Sequence, residues 1–173
     1  MRARPVSCCF SGHRPGKLPW GNHEDDPRCM ALKKRLYGAA LSAYDEGYRH
    51  FICGMAQGCD LYFCEAVLEL RGLHPEVTLE AAIPCPTQPD RWNSKQRERY
   101  QKLLAQCDYE TMVQDKYTTD CMQRRNRYMV DHAALLIAVH DGLPGGTRRT
   151  VEYAMHRGVD IVDIPSVAPD SDR

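Results

Sequence analysis

Apolar residues along the chain follow two spacings. Short continuous apolar runs at residues 6–10, 50–53, 77–83, 109–113, 135–139 and 160–164 predict strands. Between them, apolar positions recur at the helical period. They predict helices over about 27–46, 90–106 and 119–132, a helix carrying Leu61, Cys64, Val67 and Leu70 that stops at Gly72, and one from Thr147 to about Arg157. Asp26 before Pro27 reads as an N-cap with proline at N1, and Gly47 and Gly158 read as C-terminal stops.

Strict alternation of strand and helix predicts an α/β fold. Its expected form is a Rossmann-like, doubly wound, mainly parallel sheet with helices on both faces. Strands of continuous Ile, Val, Leu and Ala fit burial on both sides. No repeat or linker interrupts the pattern, so one domain is expected over residues 1–165, with a loose polar tail at 166–173.

Composition then narrows the classes. With 173 residues, 43% of them hydrophobic, and a formal net charge of zero, the chain has the makeup of one globular domain. The neutral balance argues against a protein that coats nucleic acid, but leaves a local basic patch open. Nine cysteines without a Cys-x-x-Cys pair do not make a zinc motif and read as reduced, mostly buried thiols. Residues 1–5 lack a signal-peptide core, and the apolar run 133–139 is too short for a membrane span. A cytoplasmic location, with no membrane partner, is the expectation.

Ligands of open α/β sheets bind outside the carboxyl ends of the strands. Four segments should lie there. Ser11, Gly12, His13 and Arg14 follow the first strand. Gly54, Met55, Ala56 and Gly58 follow the second, with Asp60 in the next turn. Gly145, Gly146 and Thr147 follow the fifth and lead to Thr150 and Glu152. Glycine at such turns permits close backbone approach, and the helices after the second and fifth strands would offer free N–H groups to an anion. The fourth segment is Arg124-Arg125-Asn126-Arg127 on a helix. With Arg14, Arg148 and Arg149 it would make that edge positive, although helical geometry lets only one or two of the run face a ligand. Trp92 and Tyr100, eight residues apart, fit core packing better than base stacking. Asp131 and Asp141 are too loosely spaced to specify a metal, and none is expected.

Taken in order, these motifs resemble the SLOG superfamily, named for DNA-processing DprA (Smf) and the LOG proteins, and within it the YpsA-like branch. The opening Ser11-Gly12-His13-Arg14-Pro15 is similar to that branch's Gly-x-[Arg/Lys]-Pro turn. Phe51-Ile52-Cys53-Gly54-Met55-Ala56-Gln57-Gly58-Cys59-Asp60 is similar to the family's Ser-Gly-x-Ala-x-Gly-x-Asp loop, and Arg125-Asn126-Arg127 to the Arg-Asn-Arg signature of the DprA branch. The resemblance implies a Rossmann-like fold and a nucleotide-type ligand, with no separate cofactor. It leaves three functions open. One is a nucleotide or nucleotide-derivative binder or sensor, with phosphate held by the glycine loops and by Arg125, Asn126 and Arg127. Another is a LOG-like nucleoside monophosphate N-glycosidase, with Arg125 and Glu152 as catalytic residues. The last is single-stranded DNA binding as in DprA. In LOG enzymes the glutamate follows the turn's threonine by three residues. Here that position is Thr150, and Glu152 is offset by two. SLOG relatives often associate, so a homodimer is also implied.

Overall fold

The computed structural model describes residues 6–169. The expectations for residues 1–5 and for the last four positions of the tail lie outside the described residues.

Six strands form one sheet: β1 (Ser7–Gly12), β2 (His50–Cys53), β3 (Thr78–Ile83), β4 (Tyr109–Met112), β5 (Leu135–Val139) and β6 (Asp160–Ile164). The order is β4-β3-β2-β1-β5-β6 and every pairing is parallel. Five helices connect them: α1 (Pro27–Asp45), α2 (Cys59–Leu73), α3 (Ser94–Gln106), α4 (Cys121–Asp131) and α5 (Gly146–His156). This is the expected Rossmann-like α/β fold.

Side chains alternate across the sheet, as the two-residue period of a strand requires. Cys8, Phe10, Phe51, Cys53, Leu79 and Ile137 face α1, α2 and α3, where Phe10 stacks on Phe63 with ring centroids 4.4 Å apart. Cys9, Ile52, Ala82, Leu136 and Ala138 face Met129, Val130, Val151 and Ala154 of α4 and α5. The chain changes faces between β4 and β5. Its winding direction therefore reverses between β1 and β5, which pair from Cys8↔Leu135 to Gly12↔Val139. Such a switch point opens a crevice at the strands' carboxyl ends.

Local chemistry explains several boundaries. Asp26 Oδ1 accepts the Arg28 N–H at 2.9 Å, capping α1 behind Pro27. The third helix starts at Ser94, not at residue 90, because Asn93 takes the cap and accepts the Gln96 N–H at 2.9 Å. Trp92 therefore sits in the loop before α3, and it meets Tyr100 as a T-shaped pair at 5.3 Å. The tail is not loose from its first residue. Ser166 is buried, and both its N–H and its hydroxyl donate to Asp141, while Arg35 donates to the Pro165 and Ser166 carbonyls. All nine cysteines are free thiols, and only Cys107 is not fully buried. Among the described residues, no helix is long and apolar enough to cross a membrane.

Candidate functional site

A cavity of about 320 Å³ opens at the β1/β5 switch point. The loop after β1 supplies Ser11, Gly12, His13 and Arg14 to its wall, α2 and its preceding loop supply Asp60 and Ala56, α4 supplies Arg125 and Asn126, and α5 supplies Gly146 and Thr147. Ten residues of the sequence-derived set thus come together.

The basic groups play different parts. Arg14 is exposed at the rim, and Lys17, which the sequence reading passed over, also lines the cavity. Lys17 Nζ donates to the Pro144 carbonyl at 3.2 Å and stands against Gly145, so it bridges the β1 loop to the start of α5. A 3₁₀ turn at Pro15–Lys17 carries it there. Two buried anchors follow: Leu18, and Trp20, whose indole N–H donates to the Tyr62 hydroxyl at 3.3 Å. That pair of apolar residues in a polar loop was the available signal. By helix geometry the first N–H groups of α5 have no partner within the helix, and Gly146 and Thr147 bring them to the cavity wall.

Arg125 lines the same cavity but is 3% exposed. Its guanidinium donates to the Gly54 carbonyl, to Gln88 Oε1 at 3.3 Å, to the Ala82 carbonyl at 3.4 Å and to Asn126 Oδ1 at 3.0 Å. It ties α4 to the loops after β2 and β3. Burial pulls its pKa down, opposed by the charge of Asp60. Asn126 keeps its amide NH₂ unpaired among the described residues.

The glycine loop after β2 is built differently from the expectation. A Cβ on Gly54 would lie 2.7 Å from the Arg125 guanidinium carbon, so this glycine makes room for the arginine, not for a ligand. Gly58 has φ +86°, and a Cβ there would lie 2.7 Å from the His13 carbonyl. That carbonyl accepts the Cys59 N–H at 3.1 Å, so the first donor of α2 is already taken. The Ala56 N–H goes to Asp60 Oδ2 at 3.1 Å. Met55 is fully buried. Only α5 presents its N-terminus to the cavity in the expected way.

Burial raises the pKa of Asp60, opposed by Arg125, by the Ala56 N–H and by Arg14. His13 is buried with Nε2 3.4 Å from Asp141 Oδ2. Burial lowers its pKa and outweighs Asp141, while Lys17 and His140 push the same way as burial.

Arg127, Thr150 and Glu152 lie outside this cavity. They line a neighbouring one of about 480 Å³ that shares Gln123 and Asn126 with the first. Glu152 accepts from Arg148 Nε at 3.1 Å, and Thr150 Oγ1 donates to the Gly146 carbonyl at 2.9 Å. Asp131 and Asp141 do not meet: Asp131 holds the Tyr153 hydroxyl, and Asp141 holds Ser166. Among the described residues, no group of three or more His, Cys, Asp or Glu side chains is placed to hold a metal.

The fold and this crevice define a Rossmann-like domain with a cavity at its topological switch point. The chain belongs to the YspA SLOG family, whose family model matches residues 8–159. It is 33% identical over 143 residues to the uncharacterized SPbeta prophage-derived protein YoqJ of Bacillus subtilis (strain 168), covering 75% of this chain and 83% of that protein. It is 26% identical over 151 residues to a UPF0398 protein of Bacillus cereus (strain B4264), covering 86% and 82%. Among solved structures it is similar to DNA processing protein A of Streptococcus pneumoniae, with TM-score 0.63, 18% identity, and coverage of 96% of this chain and 52% of that one. DNA processing protein A of Helicobacter pylori gives TM-score 0.64 at 16% identity, covering 98% and 68%. The chain thus spans about half of the S. pneumoniae protein.

Proposed function

We propose that the switch-point cavity binds the phosphate of a nucleotide or nucleotide derivative. One observation carries this reading: Arg14 and Lys17 of the loop after β1 and the N-terminal turn of α5 meet in one cavity, in a chain whose net charge is zero. Arginine and lysine side chains and a helix N-terminus are complementary donors for phosphate oxygens. Asn126 and Thr147 add polar groups beside them. Arg125 acts here as the strut that sets the loops, with its positive charge behind the site.

Binding without turnover is favoured over a LOG-like N-glycosidase. The glycosidase reading assigns Glu152 as the catalytic carboxylate, and Glu152 faces the neighbouring cavity and pairs with Arg148. The H. pylori DNA processing protein A has a single-stranded DNA binding mode. At 16% identity the likeness carries the fold alone.

Calorimetric titration with inorganic phosphate, ribose 5-phosphate, nucleoside monophosphates and a single-stranded oligonucleotide tests the reading. Phosphate-bearing probes should bind, more weakly as salt rises, and Arg14→Ala should weaken them while the melting temperature holds. An absence of binding by every probe at low salt overturns it. So does an affinity indifferent to Arg14, or binding confined to oligonucleotides.

A further inference from the structure

A second cavity of about 250 Å³ adjoins the first and shares Arg14, Ala56 and Met122 with it. Its remaining wall is Pro15, Gln57, Gln88 and Trp92. The chemistry changes across the boundary. Among the described residues Arg14 is its only charged one; the rest is an indole, a proline, an alanine, a thioether and two primary amides.

We propose that this second cavity is the base subsite of a free nucleoside monophosphate whose phosphate occupies the first, an inference that rests on the phosphate reading above. A further phosphate would need more cations than Arg14 alone. An aromatic heterocycle instead needs an apolar plate and amide groups at its edge. Trp92 supplies the plate. Its ring is half-buried against the core and paired with Tyr100 at an interplanar angle of 84°, and the backbone N–H of Trp92 donates to the Pro89 carbonyl at 3.0 Å. A ring already held in place loses little entropy when a base stacks on it. Gln88 is committed on both ends, with Nε2 donating to the Gly54 carbonyl at 3.2 Å and Oε1 accepting from Arg125. Gln57 has no hydrogen-bond partner among the described residues, so its amide is the free reader of a base edge. The cavity on the other flank suits a base less well. Its aromatic ring, Tyr153, lies under the Arg127 guanidinium, and its hydroxyl is held by Asp131.

The site volumes agree. The second cavity alone is below the range of about 300–1,000 Å³ typical of small-molecule sites, and the two together fall within it.

The experiment compares AMP, CMP and ribose 5-phosphate by calorimetry on the full chain, with intrinsic fluorescence followed in parallel. There are two tryptophans, and Trp20 is buried, so a change on base binding reports Trp92. AMP should bind at least about tenfold more tightly than ribose 5-phosphate, the scale of one base–aromatic stack. Trp92→Leu should erase that advantage and leave ribose 5-phosphate binding within about twofold, which also shows that the variant is folded; Trp92→Phe should keep most of it. Gln57→Ala, on a side chain with no partner to lose, should narrow the difference between AMP and CMP. Equal affinity of AMP and ribose 5-phosphate for the unaltered protein overturns the base subsite and leaves the phosphate reading standing. An AMP advantage that survives Trp92→Leu also overturns it. Failure of all three probes to bind removes the phosphate reading, and this one with it.

Discussion

The guanidinium of Arg125 lies where a side chain on Gly54 would have to go, and it donates to the carbonyl of that same glycine. The two residues come from α4 and from the loop after β2, 71 positions apart. Gly54→Ala should therefore destabilise the protein by about 1–3 kcal/mol, the usual cost of overpacking a filled interior. Arg125→Ala should cost about 2–4 kcal/mol, since it leaves Gln88 Oε1 without its buried donor and the Gly54 carbonyl with Gln88 Nε2 alone. Because each change disturbs one shared contact, the double variant should be less destabilised than the sum of the two. Urea unfolding of the four proteins measures this; simple additivity would mean that the contact does not couple them.

Lys17 tests the site without touching the core. Its ammonium is exposed and makes one hydrogen bond, to the Pro144 carbonyl. Lys17→Ala should leave the unfolding midpoint within about 0.5 kcal/mol of the original. It should weaken inorganic phosphate binding severalfold at low salt, and less at high salt, where the charge is screened. A loss of stability with unchanged phosphate affinity would make Lys17 a loop brace only.

Much of this was legible in the sequence because it is local. Strands such as Leu135–Val139 are read from continuous apolar residues, and the Asp26-Pro27 start of α1 from capping chemistry. The edge carrying the site follows from the alternation of strand and helix. What the chain does not display is which way a side chain turns once helices pack. Arg125 and Arg127 are two residues apart on α4, yet one is buried over Gly54 and the other is exposed beside Tyr153. Gly54 and Gly58 look like ligand-approach glycines because both functions ask for the same missing side chain. Only the positions of the Arg125 guanidinium and the His13 carbonyl reveal the packing role. Lys17 was hidden because its place depends on a 3₁₀ turn and on Trp20 reaching Tyr62.

His13 makes stability depend on pH. Burial holds its pKa below the ordinary value of 6.5, with Lys17 and His140 adding to the effect and Asp141 opposing it. The unfolded chain therefore takes up the proton first. The contribution of His13 is fully present above about pH 6.5. It declines as the pH falls from there towards the lowered value of the folded state. Denaturant unfolding between pH 7.5 and 5 should show this decline, and His13→Gln should remove part of it. A variant with the same slope as the original protein would mean that His13 does not titrate differently on folding.

Among the described residues that line the switch-point cavity, Asp60 carries the only carboxylate, beside the cationic Arg14, Lys17 and Arg125. Burial raises its pKa, so the charged form is disfavoured in the folded protein despite Arg125 and the Ala56 N–H. The sign is opposite to that of His13: stability associated with Asp60 is greatest when it is protonated and declines as pH rises through its folded-state value. Where Asp60 is ionised, Asp60→Asn removes a buried negative charge, and the amide oxygen can still accept the Ala56 N–H. The variant should be at least as stable as the original. It should also bind inorganic phosphate severalfold more tightly at low salt, because a like charge facing the anion is gone. Calorimetry with phosphate at pH 7, beside a thermal melt, reads both effects. Unchanged affinity in a variant of undiminished stability would place the anion away from Asp60, towards the α5 end of the cavity.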